Sequence, residues 1–211
     1  MSKKKTQDAI VDVRAEPEGM LKFDLHIHSK FSDGLPSPTE IVQHAKKSGL
    51  HGLALTDHDN VKGLREAKKA AEKYDIQFIP GVEITTISGD IVALGIEEIP
   101  KTTDALEMID MIRQQGGVAI LAHPFAGFWA LSFANIPDIA KRFTAIEIFN
   151  ALTQFDLNME AIKLAKQLNM TGTAGSDAHR LHEVGTAYTL SKDSDILTAI
   201  KNGNVKVGWV V

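Results

Sequence analysis

From about residue 21 to the C-terminus, short apolar runs alternate with amphipathic stretches. Leu21 to His28 reads as a strand, Gly52 to Thr56 as the next and Ile76 to Ile84 as a third. Further strands are expected at Ile91 to Gly95, Val118 to Ala122 and Ala145 to Phe149. Shorter ones fall near Gly172, at Ala187 to Leu190 and at Val205 to Val207. Between them, Ser37-Pro38-Thr39-Glu40 opens a helix that runs to Gly49, a helix-stop glycine. Asn60 is expected to cap a second helix, with Lys, Arg and Glu on one face and Leu64, Ala67, Ala70 and Ala71 on the other. Helices follow at Thr103 to Gln115, Leu157 to Leu168 and Ser194 to Asn202. This alternation predicts an α/β fold with a largely parallel sheet and covering helices.

The pattern shows no internal repeat, low-complexity tract or linker. Residues 1–20 read as a polar, poorly ordered lead-in, and residues 21–211 as a single domain. The net charge of -4 gives no reason to expect a basic nucleic-acid surface, although bound metals would add positive charge that the count omits. There are no cysteines, so disulfides and thiolate sites are excluded and any metal must sit among His, Asp and Glu. Met1 to Met20 has no apolar leader run and no stretch approaches a membrane span, so the cytoplasm is the expected compartment and no membrane partner is expected.

The polar chemistry gathers where strands end. Asp24-Leu25-His26-Ile27-His28 closes the first strand, Thr56-Asp57-His58-Asp59 follows the second, and Glu83 ends the third. His123-Pro124 and Gly175-Ser176-Asp177-Ala178-His179 follow later strands. In parallel α/β architectures ligands bind beyond the carboxyl ends of strands. His26 and His28 are two apart on a strand, so their Cα atoms are roughly 6.5–7 Å apart on one face and both rings can meet one ion. Asp24 lies on that face and is expected to hold a ring N–H of one of them. Asp177 and His179 repeat the device. A single His-x-His pair is usually structural; five such groups at strand ends are not. His44 and His51 are expected to lie outside the site, and His182 is a loop residue within reach of substrate.

In these motifs the chain resembles the PHP (polymerase and histidinol phosphatase) family. The resemblance runs from about Leu21 to the C-terminus and is carried by Asp24 to Ser29 with Ser32-Asp33-Gly34, Thr56 to Asp59, Gly81-Val82-Glu83, Ala122-His123-Pro124, Glu147 to Asn150 and Gly175 to His179. It implies a distorted (β/α)7 barrel with outer helices and a site for two or three divalent metal ions (Zn, Mn or Fe). Carried over, His26, His28, Glu83 and Asp177 would hold a first ion, Glu83 and His123 a second, and Asp33, His58 and His179 a third. Asp90 stands where many relatives have a histidine ligand of the second ion. Asp24 and Asp57 would support ligands. Arg180 is the candidate for gripping a phosphate oxygen, with His182 beside it.

The implied activity is metal-dependent hydrolysis of phosphomonoesters or small nucleotide-like esters, including nucleotides and short oligonucleotides, through attack by a metal-bridging hydroxide. The same ligands would also serve an amide hydrolase or a non-catalytic module of an assembly. Only about forty residues separate Glu83 from His123, so the inserted subdomain of larger nucleotide-processing relatives is absent. The aromatic run Phe125 to Phe133 could stack on a base, cover the mouth, pack on a second subunit or fold onto its own core.

Overall fold

A computed structural model describes residues 18–126 and 137–210. Its strands are β1 Leu21–Asp24, β2 Gly52–Leu55, β3 Gln77–Thr86, β4 Gly89–Leu94, β5 Val118–Leu121, β6 Ala145–Asn150, β7 Thr171–Gly175, β8 Ala187–Ser191 and β9 Val205–Trp209. The helices are α1 Pro38–Lys47, α2 Leu64–Tyr74, α3 Ala105–Gln114, α4 Pro137–Ala140, α5 Phe155–Leu168 and α6 Ile196–Asn202. One sheet runs in the order β7-β6-β5-β4-β3-β2-β1-β8-β9. β1, β2 and β3 are mutually parallel, as are β5, β6 and β7. β4 runs antiparallel between β3 and β5, and β8 antiparallel between β1 and β9. Among the described residues, seven strands therefore point one way and β4 and β8 the other.

The sheet curls into a nearly closed barrel. At its seam the Thr189 hydroxyl accepts from the Ala174 N–H at 2.9 Å and donates to the Ala174 carbonyl at 2.9 Å. Beyond the strand ends, Asp177 N–H donates to the His26 carbonyl and His28 N–H to the Ala178 carbonyl, each at 2.9 Å. These two bonds join the extensions of β1 and β7. Gly175 allows that approach, since a Cβ there would stand 2.4 Å from the His26 Cβ.

Alternation along the strands sorts the core. Phe23, Ala54, Ile79, Val92, Leu94 and Ile120 pack with Ile196, Ala199 and Ile200 of α6 inside the barrel. The opposite faces pack against the outer helices: Leu53 and Leu55 meet Ile41 and Val42 of α1 and Ala67 and Ala71 of α2. Ile146 and Ile148 meet Ile162 and Ala165 of α5. Fully burying each such leucine, isoleucine, valine or phenylalanine stabilises the fold by about 1.5–3 kcal/mol.

Two local expectations are corrected. Asn60 does not cap α2; the cap is Gly63, without a side-chain bond. The Asn60 carboxamide is instead used in the loop, accepting from Lys62 N–H at 3.0 Å and donating to the Phe31 carbonyl at 2.5 Å. Nor is Leu21 to His28 one regular strand. Phe23 and Leu25 both pack inside the barrel, while Ile27 packs outside against the helices. The pleat therefore slips between Leu25 and Ile27, and Asp24 parts company with His26. Of the aromatic run, only Phe125 and Ala126 lie within the described residues, and Phe125 packs against the core. Most of the lead-in likewise lies outside them.

Candidate metal centre

Every motif residue arrives at the same end of the barrel. His26 and His28 follow β1, Asp33 lies in the loop before α1, His58 follows β2, and Glu83 stands in β3. His123 follows β5, and Asp177 and His179 follow β7. Asp90 joins them because β4 runs the other way, so its beginning lies at the mouth.

Glu83 is the hub. Its Oε2 lies 3.0 Å from His26 Nε2, 3.2 Å from His28 Nε2 and 3.3 Å from His58 Nδ1. Its Oε1 lies 2.9 Å from His123 Nε2. Asp177 Oδ1 approaches His28 Nε2 at 3.1 Å and His26 Nε2 at 3.5 Å. On the outer side, Asp33 Oδ2 is 3.2 Å from His179 Nε2 and 3.6 Å from His58 Nε2. His26, His28 and Glu83 have no solvent exposure.

These distances are not all hydrogen bonds. Both ring nitrogens of His28 and Nδ1 of His58 are buried without a hydrogen-bond partner. An unsatisfied buried polar group costs about 1–3 kcal/mol. Orphaned nitrogens facing carboxylate oxygens at ligand spacing suit a cation between them. Among the described residues, four overlapping sets each bring their ligand atoms within reach of a single ion: His26, His28, Glu83 and Asp177; Glu83, Asp90 and His123; His28, Asp33, His58 and His179; and His26, His123 and Glu147. The residues of each grouping implied by the motifs lie together here as candidate ligands. His28 also stands beside the outer set.

Supporting residues hold these groups in place. Asp57 accepts from Ser29 N–H at 2.6 Å, Ser29 Oγ at 2.8 Å and Ser32 Oγ at 2.8 Å, fixing the turn that carries Asp33. Gly34 closes that turn, where a Cβ would lie 2.3 Å from the His28 carbonyl oxygen. His123 and Asp177 sit at φ of 21° and 55°, an uncommon region for non-glycine residues that marks backbone held against its preference.

Asp24 requires a correction. It holds no imidazole; its carboxylate accepts the backbone N–H groups of Ser176 at 3.0 Å and Gly185 at 2.8 Å. The pleat slip behind Leu25 turns it toward those loops. The residue that holds His26 Nδ1, at 3.0 Å, is Glu147 of β6, which also accepts His123 N–H at 2.9 Å. Asn150 donates to both Glu147 and Asp177 at 3.1 Å. Glu147 and Asn150 were visible as a strand-end Glu-x-x-Asn motif but not as supports for residues far away in the chain. Arg180 is exposed, and His182 is exposed with its ring 3.9 Å from Glu183. Neither belongs to a ligand set among the described residues.

Burial alone would lower the pKa of His28, but Asp177 and Glu83 outweigh it and hold the ring at about 9. Burial also opposes a charge on His123, yet the Glu83 bond and charge raise it to about 9. Glu83 goes well below the carboxylate range: burial pushes it up, and His26, His123 and His28 pull it down further. Asp90 is raised, first by burial and then by Glu83. Asp24 is pushed up to about 6 by burial. Imidazoles raised to about 9 keep their protons at neutral pH, so a cation must displace them. Titrating stripped protein with Zn²⁺ at pH 7.5 should therefore release at least about one proton per chain, and affinity should climb as pH rises toward 9. Calorimetry in buffers of different ionisation enthalpy measures this; zero release would contradict the electrostatics.

Residues 24–151 match the PHP domain family model, and residues 156–205 match the PHP-associated model. An uncharacterized protein of Methanocaldococcus jannaschii is 33% identical over 162 residues, covering 70% of this chain and 94% of that protein. A 3′,5′-nucleoside bisphosphate phosphatase of Chromobacterium violaceum is 37% identical over 134 residues. That match covers 58% of this chain but 47% of the phosphatase, so the chain spans about half of that enzyme's length. A Bacteroides vulgatus two-domain protein containing a predicted PHP-like metal-dependent phosphoesterase has a TM-score of 0.74 at 22% identity, over 99% of this chain and 70% of that one. At that identity the likeness speaks for the fold. Among the described residues, no helix is long and apolar enough to cross a membrane.

Proposed function

The chain belongs to the PHP domain family, and from that premise we propose that it is a metal-dependent phosphoesterase acting on phosphomonoesters or small nucleotide-like esters. The observation that carries the reading is Glu83, one buried carboxylate facing four imidazoles, two of which contain orphaned ring nitrogens. In this assignment His26, His28, Glu83 and Asp177 hold one ion, Glu83, Asp90 and His123 a second, and Asp33, His58 and His179 a third. Bound divalent ions would supply Lewis-acid charge to phosphate oxygens and lower the pKa of water to the neutral range.

The chain's own residues do the rest. Glu147 accepts from His26 Nδ1, which leaves Nε2 directed at Glu83 and Asp177. The Asp177 carbonyl accepts from His179 Nδ1 at 2.7 Å, directing its Nε2 at Asp33. The four acidic ligands carry -4 against +6 for three divalent ions, so a loaded site keeps net positive charge for a phosphate dianion. Arg180, exposed beside His179, is available to a phosphate oxygen. The expected substrate is small, the compartment cytoplasmic and the metals Zn, Mn or Fe. Metal analysis combined with hydrolysis assays on phosphomonoesters, nucleotides, short oligonucleotides and amides tests the reading. At least two ions per chain and ester hydrolysis are expected. No metal after reconstitution, or turnover of amides alone, would overturn it.

Asp90 sets the metal response. A carboxylate in place of an imidazole favours Mn²⁺ relative to Zn²⁺. Activity should respond to added Mn²⁺ more than to Zn²⁺, and the second ion should leave most easily. Asp90→His should raise zinc retention and shrink the Mn²⁺ response. Unchanged metal content in both Asp90→His and Asp90→Ala would remove Asp90 from the ligand set.

A further inference from the structure

Beside the candidate ligand cluster lies a pocket of about 350 Å³ whose lining includes His123, Asp177, Leu152, Thr153, Gln154 and Leu157. We propose that this pocket receives the uncharged organic group of a phosphomonoester, so that the protein selects substrates with a single phosphate and a compact, partly apolar leaving group. The proposal deepens the phosphoesterase reading and rests on it for the position of the phosphate.

Three features carry it. The first is position: His123 and Asp177 fall in two different ligand sets and also line the pocket, so a phosphate held at the cluster has its ester group adjacent to this space. The second is lining. Among the described lining residues there is no lysine or arginine, and the one formal charge besides the imidazole is the Asp177 carboxylate. A second phosphate seated in this pocket, away from the ions, would lose hydration with no cationic side chain among the described lining residues to offset it. Leu152 is 52% exposed, an apolar side chain left at the mouth where an organic group would cover it. Leu157 continues that surface, with the amide of Gln154 and the hydroxyl of Thr153 beside it for polar substituents. The volume lies at the small end of the usual range of roughly 300–1,000 Å³, enough for one compact group.

The third feature is rigidity. Asn150 Oδ1 accepts from the Leu152 and Thr153 N–H groups at 3.0 and 3.1 Å. Asn158 Nδ2 donates to the carbonyls of Asn150 at 3.0 Å and Thr153 at 3.3 Å. The pocket wall is thus preformed. The same Asn150 side chain donates to Asp177 Oδ2, tying the wall to the cluster it serves.

The test compares methylphosphonate and phenylphosphonate binding to the Mn²⁺-loaded full chain by calorimetry, alongside hydrolysis of phenyl phosphate and a nucleoside 3′,5′-bisphosphate. The wild type should bind phenylphosphonate about tenfold more tightly than methylphosphonate, as burial of part of a ring implies. Leu152→Ser changes an exposed residue and should fold normally. It should cut that ratio below about threefold, leave methylphosphonate binding within about twofold, and raise KM for phenyl phosphate with little change in kcat. Wild-type kcat/KM should favour phenyl phosphate over the bisphosphate. Equal binding of the two phosphonates, an unaltered ratio in Leu152→Ser, or preference for the bisphosphate would overturn the proposal. Failure of the loaded protein to hydrolyse any ester would overturn the phosphoesterase reading, while the phosphonate ratio would still decide whether the pocket takes the organic group.

Discussion

Glu83→Gln is expected to reduce turnover by at least about 10³-fold and to lower metal content, with the fold retained. Glutamine keeps the shape, so Val82 and Ile84 on either side stay packed in the core. What it loses is the charge that both carboxylate oxygens use: Oε2 faces His26, His28 and His58, and Oε1 faces His123. An amide presents one oxygen and one NH₂, and the NH₂ cannot ligate. Two of the three proposed ion positions share this residue, so both should weaken together. Losing several kcal/mol of charge stabilisation corresponds to the thousandfold loss, at about 1.36 kcal/mol per tenfold.

The variant also makes an electrostatic prediction. Glu83 raises His123 and shares with Asp177 the raising of His28, so without its charge both should titrate below about 9. Elemental analysis, phosphate release and histidine titration by NMR read these outcomes separately. His51 lies at the other end of the barrel, where its Nδ1 accepts from the Lys22 N–H at 3.1 Å. His51→Ala should leave turnover within a few-fold of the parent. Full metal content and turnover within tenfold in Glu83→Gln would sink the assignment of Glu83 as the shared ligand.

The gathering of candidate ligands at the barrel mouth is legible in the sequence because each contribution is local. His26 and His28 stand two apart, Asp177 and His179 likewise, and each group follows a β-run that delivers it to the mouth. The barrel was likewise foreshadowed, by the β-α alternation and by the resemblance. Local pattern does not encode the cross-chain contacts. Glu147 meets His26 across 121 residues, and nothing in the neighbourhood of either names the other. Strict alternation puts Asp24 on the face of His26 because it assumes an unbroken pleat, whereas the slip behind Leu25 depends on how the extension of β1 docks on that of β7. Asn60 has the residue type of a cap, but its side chain found a carbonyl 29 residues away. The reversal of β4 is the least obvious case: it brings Asp90, at the beginning of a strand, to the same mouth as residues at strand ends.

Glu147→Ala is expected to lower metal affinity by about 10–100-fold, the scale for losing a group that orients a metal-binding histidine. Three contacts disappear at once: His26 Nδ1 at 3.0 Å, His123 N–H at 2.9 Å and Asn150 Nδ2 at 3.1 Å. His26 then loses the acceptor that fixes its tautomer, and Nε2 no longer faces Glu83 by default. His123 loses the anchor on a backbone held at φ 21°, a conformation costing about 1–3 kcal/mol when nothing enforces it. Its relaxation would swing the ring away from Glu83. Glu147→Gln should fall between the parent and alanine, because an amide oxygen can still accept from one neighbour while its NH₂ meets another donor. The decisive comparison is at saturating metal. An orienting residue acts through affinity, so Glu147→Ala should reach the parent's metal stoichiometry and regain part of its activity, which Glu83→Gln should not. His26, His123 and Glu147 also lie within reach of one ion. If Glu147 is itself a ligand, the alanine variant will stay short of one ion at any concentration, and equilibrium dialysis will show the deficit.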